Sequence, residues 1–97
     1  MRQVKTHKFN NVKYKIDLDE IIGSCERPRR YRKREQPTIC LPLGLPVMNK
    51  KGAKTGLIAI IHEALHAENW DMSEVVVERT ALEIGNLLWR LNFRRLK

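Results

Sequence analysis

In Gly56-Leu-Ile-Ala-Ile-Ile-His62-Glu63-Ala-Leu-His66-Ala-Glu-Asn-Trp70, two histidines stand four positions apart with a glutamate directly after the first. On an α-helix, residues four apart lie one turn above each other with Cβ atoms about 5–6 Å apart, so two imidazoles can converge on one ion. Glu63 falls about 100° round the helix from His62. From there its carboxylate reaches a water on that ion without occupying a ligand position. His62-Glu63-Ala64-Leu65-His66 therefore reads as two metal ligands, His62 and His66, plus a general base, Glu63.

The flanking residues bear on that reading. Leu57 to Ile61 is apolar at every position, and Ala64, Leu65 and Ala67 continue the trend, so the helix is expected to be buried. The plainer alternatives are two core histidines satisfied by hydrogen bonds, or a buried strand over Leu57–Ile61. Helix formers running on through Ala64-Leu65-His66-Ala67-Glu68 argue against the strand. The helix is expected from about Lys54 to Trp70.

Downstream, Asp71 or Ser73 caps a second helix that runs to about Phe93. Its expected apolar stripe is Val77, Ala81, Ile84, Leu88 and Leu91, opposed by Arg79, Glu83, Asn86 and Arg90. Two acids, Glu74 and Glu78, fall on the apolar side. Glu74 has a local role in the first turn, where an acid suits the helix dipole and Asp71-Met-Ser-Glu74 forms a capping-box arrangement. Glu78 sits among Ala81, Leu82, Gly85 and Trp89, where an unpartnered carboxylate is costly. The third metal ligand is therefore expected to be Glu78.

Upstream, Val4–Phe9 and Asn11–Leu18 read as an antiparallel pair, because Val12, Tyr14, Ile16 and Leu18 alternate with Lys13, Lys15 and Asp17. Asn10-Asn11 supplies the turn. Asp19 to Ser24 is a linker, and the basic segment after it is a surface loop. Residues 37–46 carry an apolar strand whose Pro42 and Pro46 cannot donate to a ladder, which predicts a sheet edge. An extended peptide could add to such an edge over residues 37–45. Gly52-Ala-Lys-Thr55 lacks the Gly-Lys step of a phosphate-binding loop, which excludes that nucleotide site.

The 97 residues suit one domain, with 42% hydrophobic and 31% charged residues and a net charge of +8. Met1 to Lys8 lacks the apolar core of a signal peptide and no apolar run reaches membrane-span length, so a cytoplasmic protein is expected. Cys25 and Cys40 lack C-x-x-C spacing and read as free thiols, a disulfide or a second metal site with His7 being the alternatives. Residues 27–34 hold six of the nineteen Lys and Arg residues and include Tyr31, a candidate nucleic-acid contact or simply a solvated loop. A second basic cluster is Arg94, Arg95 and Lys97.

With His62-Glu63-Ala-Leu-His66 followed by Glu78 on a second helix, the chain resembles the gluzincin branch of zinc metallopeptidases. More closely, it is similar to small phage-encoded metallopeptidases, in which strands precede an Ile-His-Glu-Ala-Leu-His-Ala helix, a Trp-Asp turn and a helix ending Leu-Trp-Arg-Leu. Here those features are Ile61–Ala67, Trp70-Asp71 and Leu88–Leu91. The likeness is detailed over residues 55–93 and rests on strand order before them. It implies a zinc peptidase acting in a host cytoplasm, with His62, His66 and Glu78 as ligands and Glu63 as base. The His or Tyr with which gluzincins steady the tetrahedral intermediate matches no motif here, Tyr31 being merely available.

The expected architecture is thus α+β: a small antiparallel sheet packed on a buried zinc helix and a second, amphipathic C-terminal helix. The expected activity is peptide-bond hydrolysis with Zn2+ as cofactor. The competing class is a basic nucleic-acid-binding protein whose metal is structural or vestigial and whose residues 27–34 do the work.

Overall fold

In the computed structural model, residues 4–19, 23–27, 36–42 and 50–93 are described. Two strands, β1 (Thr6–Phe9) and β2 (Val12–Asp19), form an antiparallel hairpin with Phe9 opposite Val12. Asn10 and Asn11 take φ values of 49° and 64°. A two-residue hairpin turn needs left-handed backbone at both positions, and asparagine tolerates it better than any residue but glycine. The turn expected at Asn10-Asn11 is therefore present.

Strand β3 (Ser24–Cys25) and strand β4 (Thr38–Pro42) complete a four-stranded sheet in the order β1-β2-β4-β3. β4 runs parallel to β2, Lys15 to Asp19 matching Thr38 to Pro42, while β3 is antiparallel to β4. The architecture is α+β as expected, with a mixed sheet where an antiparallel one was expected. β4 is also an inner strand, which corrects its reading as an edge. Its second side is closed by β3 and by Glu26, whose backbone N–H donates to the Thr38 carbonyl at 2.9 Å and whose Oε1 accepts from the Thr38 N–H at 2.8 Å. Pro42 satisfies the proline rule by ending the strand rather than by lying at the border of the sheet. A peptide adding along residues 37–42 would first have to displace β3; residues 43–45 lie outside the described residues.

Alternation sorts the sheet into two faces. Tyr14, Ile39 and Ala67 are the buried centre of one core, with Phe9, Val12, Ile16, Cys25 and Leu41 packed against it. Phe9 meets the Tyr14 ring edge-on at 5.7 Å. The outer face carries Lys8 opposite Lys13 and Thr6 opposite Lys15.

Helix α1 (Lys50–Glu68) lies on the inner face against β4, β3 and β1, and helix α2 (Glu74–Arg90) packs on α1. α1 is thus sandwiched between sheet and helix, which accounts for its apolar character all round: residues 57–66 are each half-buried. It begins at Lys50 rather than near Lys54.

α2 starts where Ser73 caps it, Ser73 Oγ accepting from the Val76 N–H at 3.3 Å. Its end is a Schellman turn: Asn92, at φ 66°, donates to the Trp89 carbonyl at 3.1 Å and Phe93 to that of Leu88 at 2.9 Å. The buried line on α2 is Val77, Ala81 and Gly85. These are spaced by four, the ridge along which two helices pack closely. Ile84 and Leu91, expected in the stripe, are exposed.

Candidate metal centre

The turn between the helices decides what meets the histidines. Asp71 N–H donates to Asn69 Oδ1 at 3.0 Å and Met72 N–H to the Asn69 carbonyl at 3.2 Å. This asparagine-centred turn folds α2 back along α1. The opening residue of α2, Glu74, is thereby set against the last turns of α1.

His62 Nε2 and His66 Nε2 stand 3.2 Å apart. Glu74 straddles them, with Oε1 2.9 Å from His62 Nε2 and Oε2 2.9 Å from His66 Nε2. Tetrahedral donors about 2.0–2.1 Å from one zinc stand roughly 3.3–3.4 Å apart, so the nitrogens already hold that separation and the oxygens need withdraw only slightly. Two imidazole nitrogens and one carboxylate oxygen are also the donor set of a catalytic zinc site with one position left for water. The residues fit the group. The imidazoles are 23% and 17% exposed and Glu74 is 58% exposed, so the centre is reached from solvent on the α2 side.

Glu63 completes the cluster: its carboxylate and the two histidine nitrogens lie within 4.8 Å of one another. Burial raises the pKa of Glu63, the nearby imidazoles oppose that rise, and Glu74 adds to it. Its carboxylate is thus held poorly solvated beside the two imidazoles, as a proton-accepting base requires.

Glu78, expected as third ligand, is exposed and is not brought to the pair. The reason is angular. Glu74 lies about 20° round the helix from Ala81, at the middle of the buried line, whereas Glu78 lies about 60° from it. Glu74 does stand in the first turn, where an acid suits the helix dipole, but the capping box expected at Asp71–Glu74 is absent. Ser73 is the cap, which makes Glu74 the first helical residue and leaves the third, Val76, without a carboxylate to close a capping box.

Three residues were given no role at this centre in the sequence reading. Trp70 stacks on His66 with ring centres 5.6 Å apart and planes inclined by 21°. Its Nε1–H donates to the Tyr14 hydroxyl at 3.1 Å. Cys25 packs in the same core as Tyr14, and its thiol pKa is pushed up to about 12 by burial first and then by the Glu63 and Glu26 charges. The four-residue step from His66 to Trp70 was the available signal for the first of these contacts. The others join distant segments.

Most of the basic loop, residues 28–34 with Tyr31, lies outside the described residues, as do Arg94, Arg95 and Lys97. Among the described residues no helix is long and apolar enough to cross a membrane. No family model, curated protein or solved structure matches the chain.

Proposed function

We propose that this chain is a zinc-dependent hydrolase of peptide bonds, with His62, His66 and Glu74 as the metal ligands and Glu63 as the general base. The observation that carries the reading is the convergence of two Nε2 atoms 3.2 Å apart under the two oxygens of one carboxylate. Zinc held there supplies Lewis acidity toward a water and toward the substrate carbonyl. Glu63 accepts the proton of the attacking water and returns it to the departing amine. Its partly desolvated position favours the first transfer, because a carboxylate short of water is a stronger base than an exposed one. His62 and His66 act as neutral donors on a rigid helix, and Glu74 supplies the one negative ligand from a second helix. The decisive experiment is zinc uptake at neutral pH, measured by chelator competition, together with cleavage of a peptide library by the zinc-loaded protein. One zinc per chain and cleavage lost in Glu63→Gln are expected; a protein that takes up no zinc ends the proposal.

A second reading, nucleic-acid binding, is favoured by one feature of the sheet. Lys8 and Lys13 face each other across β1 and β2, with Lys15 two positions along, on the face opposite the described helices. Like charges directly opposite are destabilising in a sheet, and a polyanion would relieve them. Lys8→Gln, Lys13→Gln and Lys15→Gln together should flatten the salt dependence of binding to duplex DNA. An unchanged slope removes this reading.

A further inference from the structure

We infer that Trp70 and Tyr14 are positioning residues for the metal centre, a clamp that runs from the sheet to His66 and fixes the plane of its ring. The inference takes its functional weight from the metal reading above, but its geometry stands independently. The His66 ring is half-buried, and a ring attached through two rotatable bonds in the last turn of a helix has freedom that zinc binding would have to remove. Its Nε2 is directed at the shared point between His62 and Glu74. What holds it there is the Trp70 indole, stacked on it at 21°.

Trp70 lies in the turn after α1, where an indole would ordinarily be loose. It is held by the Nε1–H bond of 3.1 Å to Tyr14. Tyr14 is fully buried at the centre of the sheet core and is the least movable side chain available. A second tie keeps the same end of α1 in place: Glu68 Oε1 accepts from the Asn10 N–H at 3.0 Å, fastening the helix end to the β1–β2 turn. The two ties locate His66 relative to the sheet rather than only to its own helix. His62, one turn earlier, has no stacked partner of this kind among the described residues. The His62 ring instead meets the His66 ring edge-on at 4.9 Å, so the clamp acts on His66 directly and on His62 only through it.

A tyrosine hydroxyl inside a core could equally serve stability alone, so the test needs readouts that separate the two roles. Tyr14→Phe removes only the acceptor, and Trp70→Phe keeps a ring that can stack but removes the donor. In the metal-free protein, long-range proton–nitrogen NMR of the imidazoles should show the His66 ring resonances displaced in both variants, and those of His62, which senses the change only through its contact with the His66 ring, displaced less. Zinc affinity by chelator competition should fall about tenfold in each variant, the size expected for a partner that orients a metal ligand. Combining them should cost no more than either alone, because both break one bond. Urea unfolding of the metal-free forms corrects for any loss of folding, and Trp70→Phe, at a half-buried site, serves if Tyr14→Phe does not fold. Unmoved His66 resonances, or zinc affinities within twofold of the parent while the urea midpoints fall, would overturn the clamp. If the parent takes up no zinc, the metal reading fails, and the metal-free resonances still decide the clamp.

Discussion

Gly85 of α2 lies directly against Ile58 of α1: a Cβ at position 85 would stand 2.5 Å from Ile58 Cγ1. The same pairing of the two helices brings Glu74 beside His62 and His66. Gly85→Ala should gain about 1 kcal/mol of helix propensity and lose about 1–3 kcal/mol to overpacking. In an Ile58→Ala background the clash is gone, and the same substitution should become stabilising. Urea denaturation of the four proteins in the cycle measures the change of sign; a Gly85→Ala effect that is the same in both backgrounds would show that the contact is slack.

Glu74→Gln should weaken zinc binding by tenfold or more, because it removes the only negative ligand and leaves two neutral imidazoles. Glu78→Gln should stay within about twofold of the parent, since this exposed side chain makes neither of the histidine contacts that Glu74 makes. Chelator competition on both variants reads this directly. The opposite ranking would return the ligand to Glu78.

Glu63→Gln should bind zinc as the parent does and cleave no peptide, the amide keeping the shape of the side chain while being unable to accept a proton. Zinc stoichiometry and peptide turnover are measured on the same preparation. Cleavage at the parental rate would exclude Glu63 as the base.

The difference between Glu74 and Glu78 shows where reading from sequence alone runs out. His62 and His66 are legible because a single helix fixes their relation, and the same holds for the Asn10-Asn11 turn and the Ser73 cap. The choice of acid depends on how α2 packs on α1, and the contact of Gly85 with Ile58 that belongs to this packing joins two helices with no local signature. The parallel pairing of β2 with β4 was hidden for a similar reason. Alternation shows which residues of a strand face inward but carries no information on the direction of its neighbour. Proline at position 42 suggested a sheet edge, and the strand end it occupies satisfies the same chemistry. Trp70 and Tyr14 are 56 residues apart, so their bond had no local signature.

Cys25 provides a test by pH. Burial and the Glu63 and Glu26 charges hold its thiol proton up to about 12, against about 8.5 for a cysteine in an unfolded chain. A folded-state pKa above the unfolded one contributes stability that is complete below about pH 8.5 and is lost as pH rises toward 12. Tyr14, raised by its own burial, acts in the same direction at the upper end of that window. Stability should therefore fall with pH from about 9 upward, and Cys25→Ala should flatten the fall, as followed by urea midpoints across the range. The same shift makes Cys25 a poor nucleophile: at pH 8 its thiolate fraction is about one in ten thousand. In a Cys40→Ser background, alkylation should accordingly run more than about a hundredfold slower than in the unfolded chain. Nor should the two thiols join on oxidation. Cys25 is paired with the inward-facing Ile39, while Cys40 is paired with Ser24 and meets Asp17 Oδ2 at 3.8 Å on the outer face. Opposite faces of one sheet aim the two Cβ atoms apart, and a disulfide needs them about 3.5–4.5 Å from each other. A Cys25–Cys40 crosslink found by mass spectrometry after mild oxidation of the folded protein would contradict that strand register.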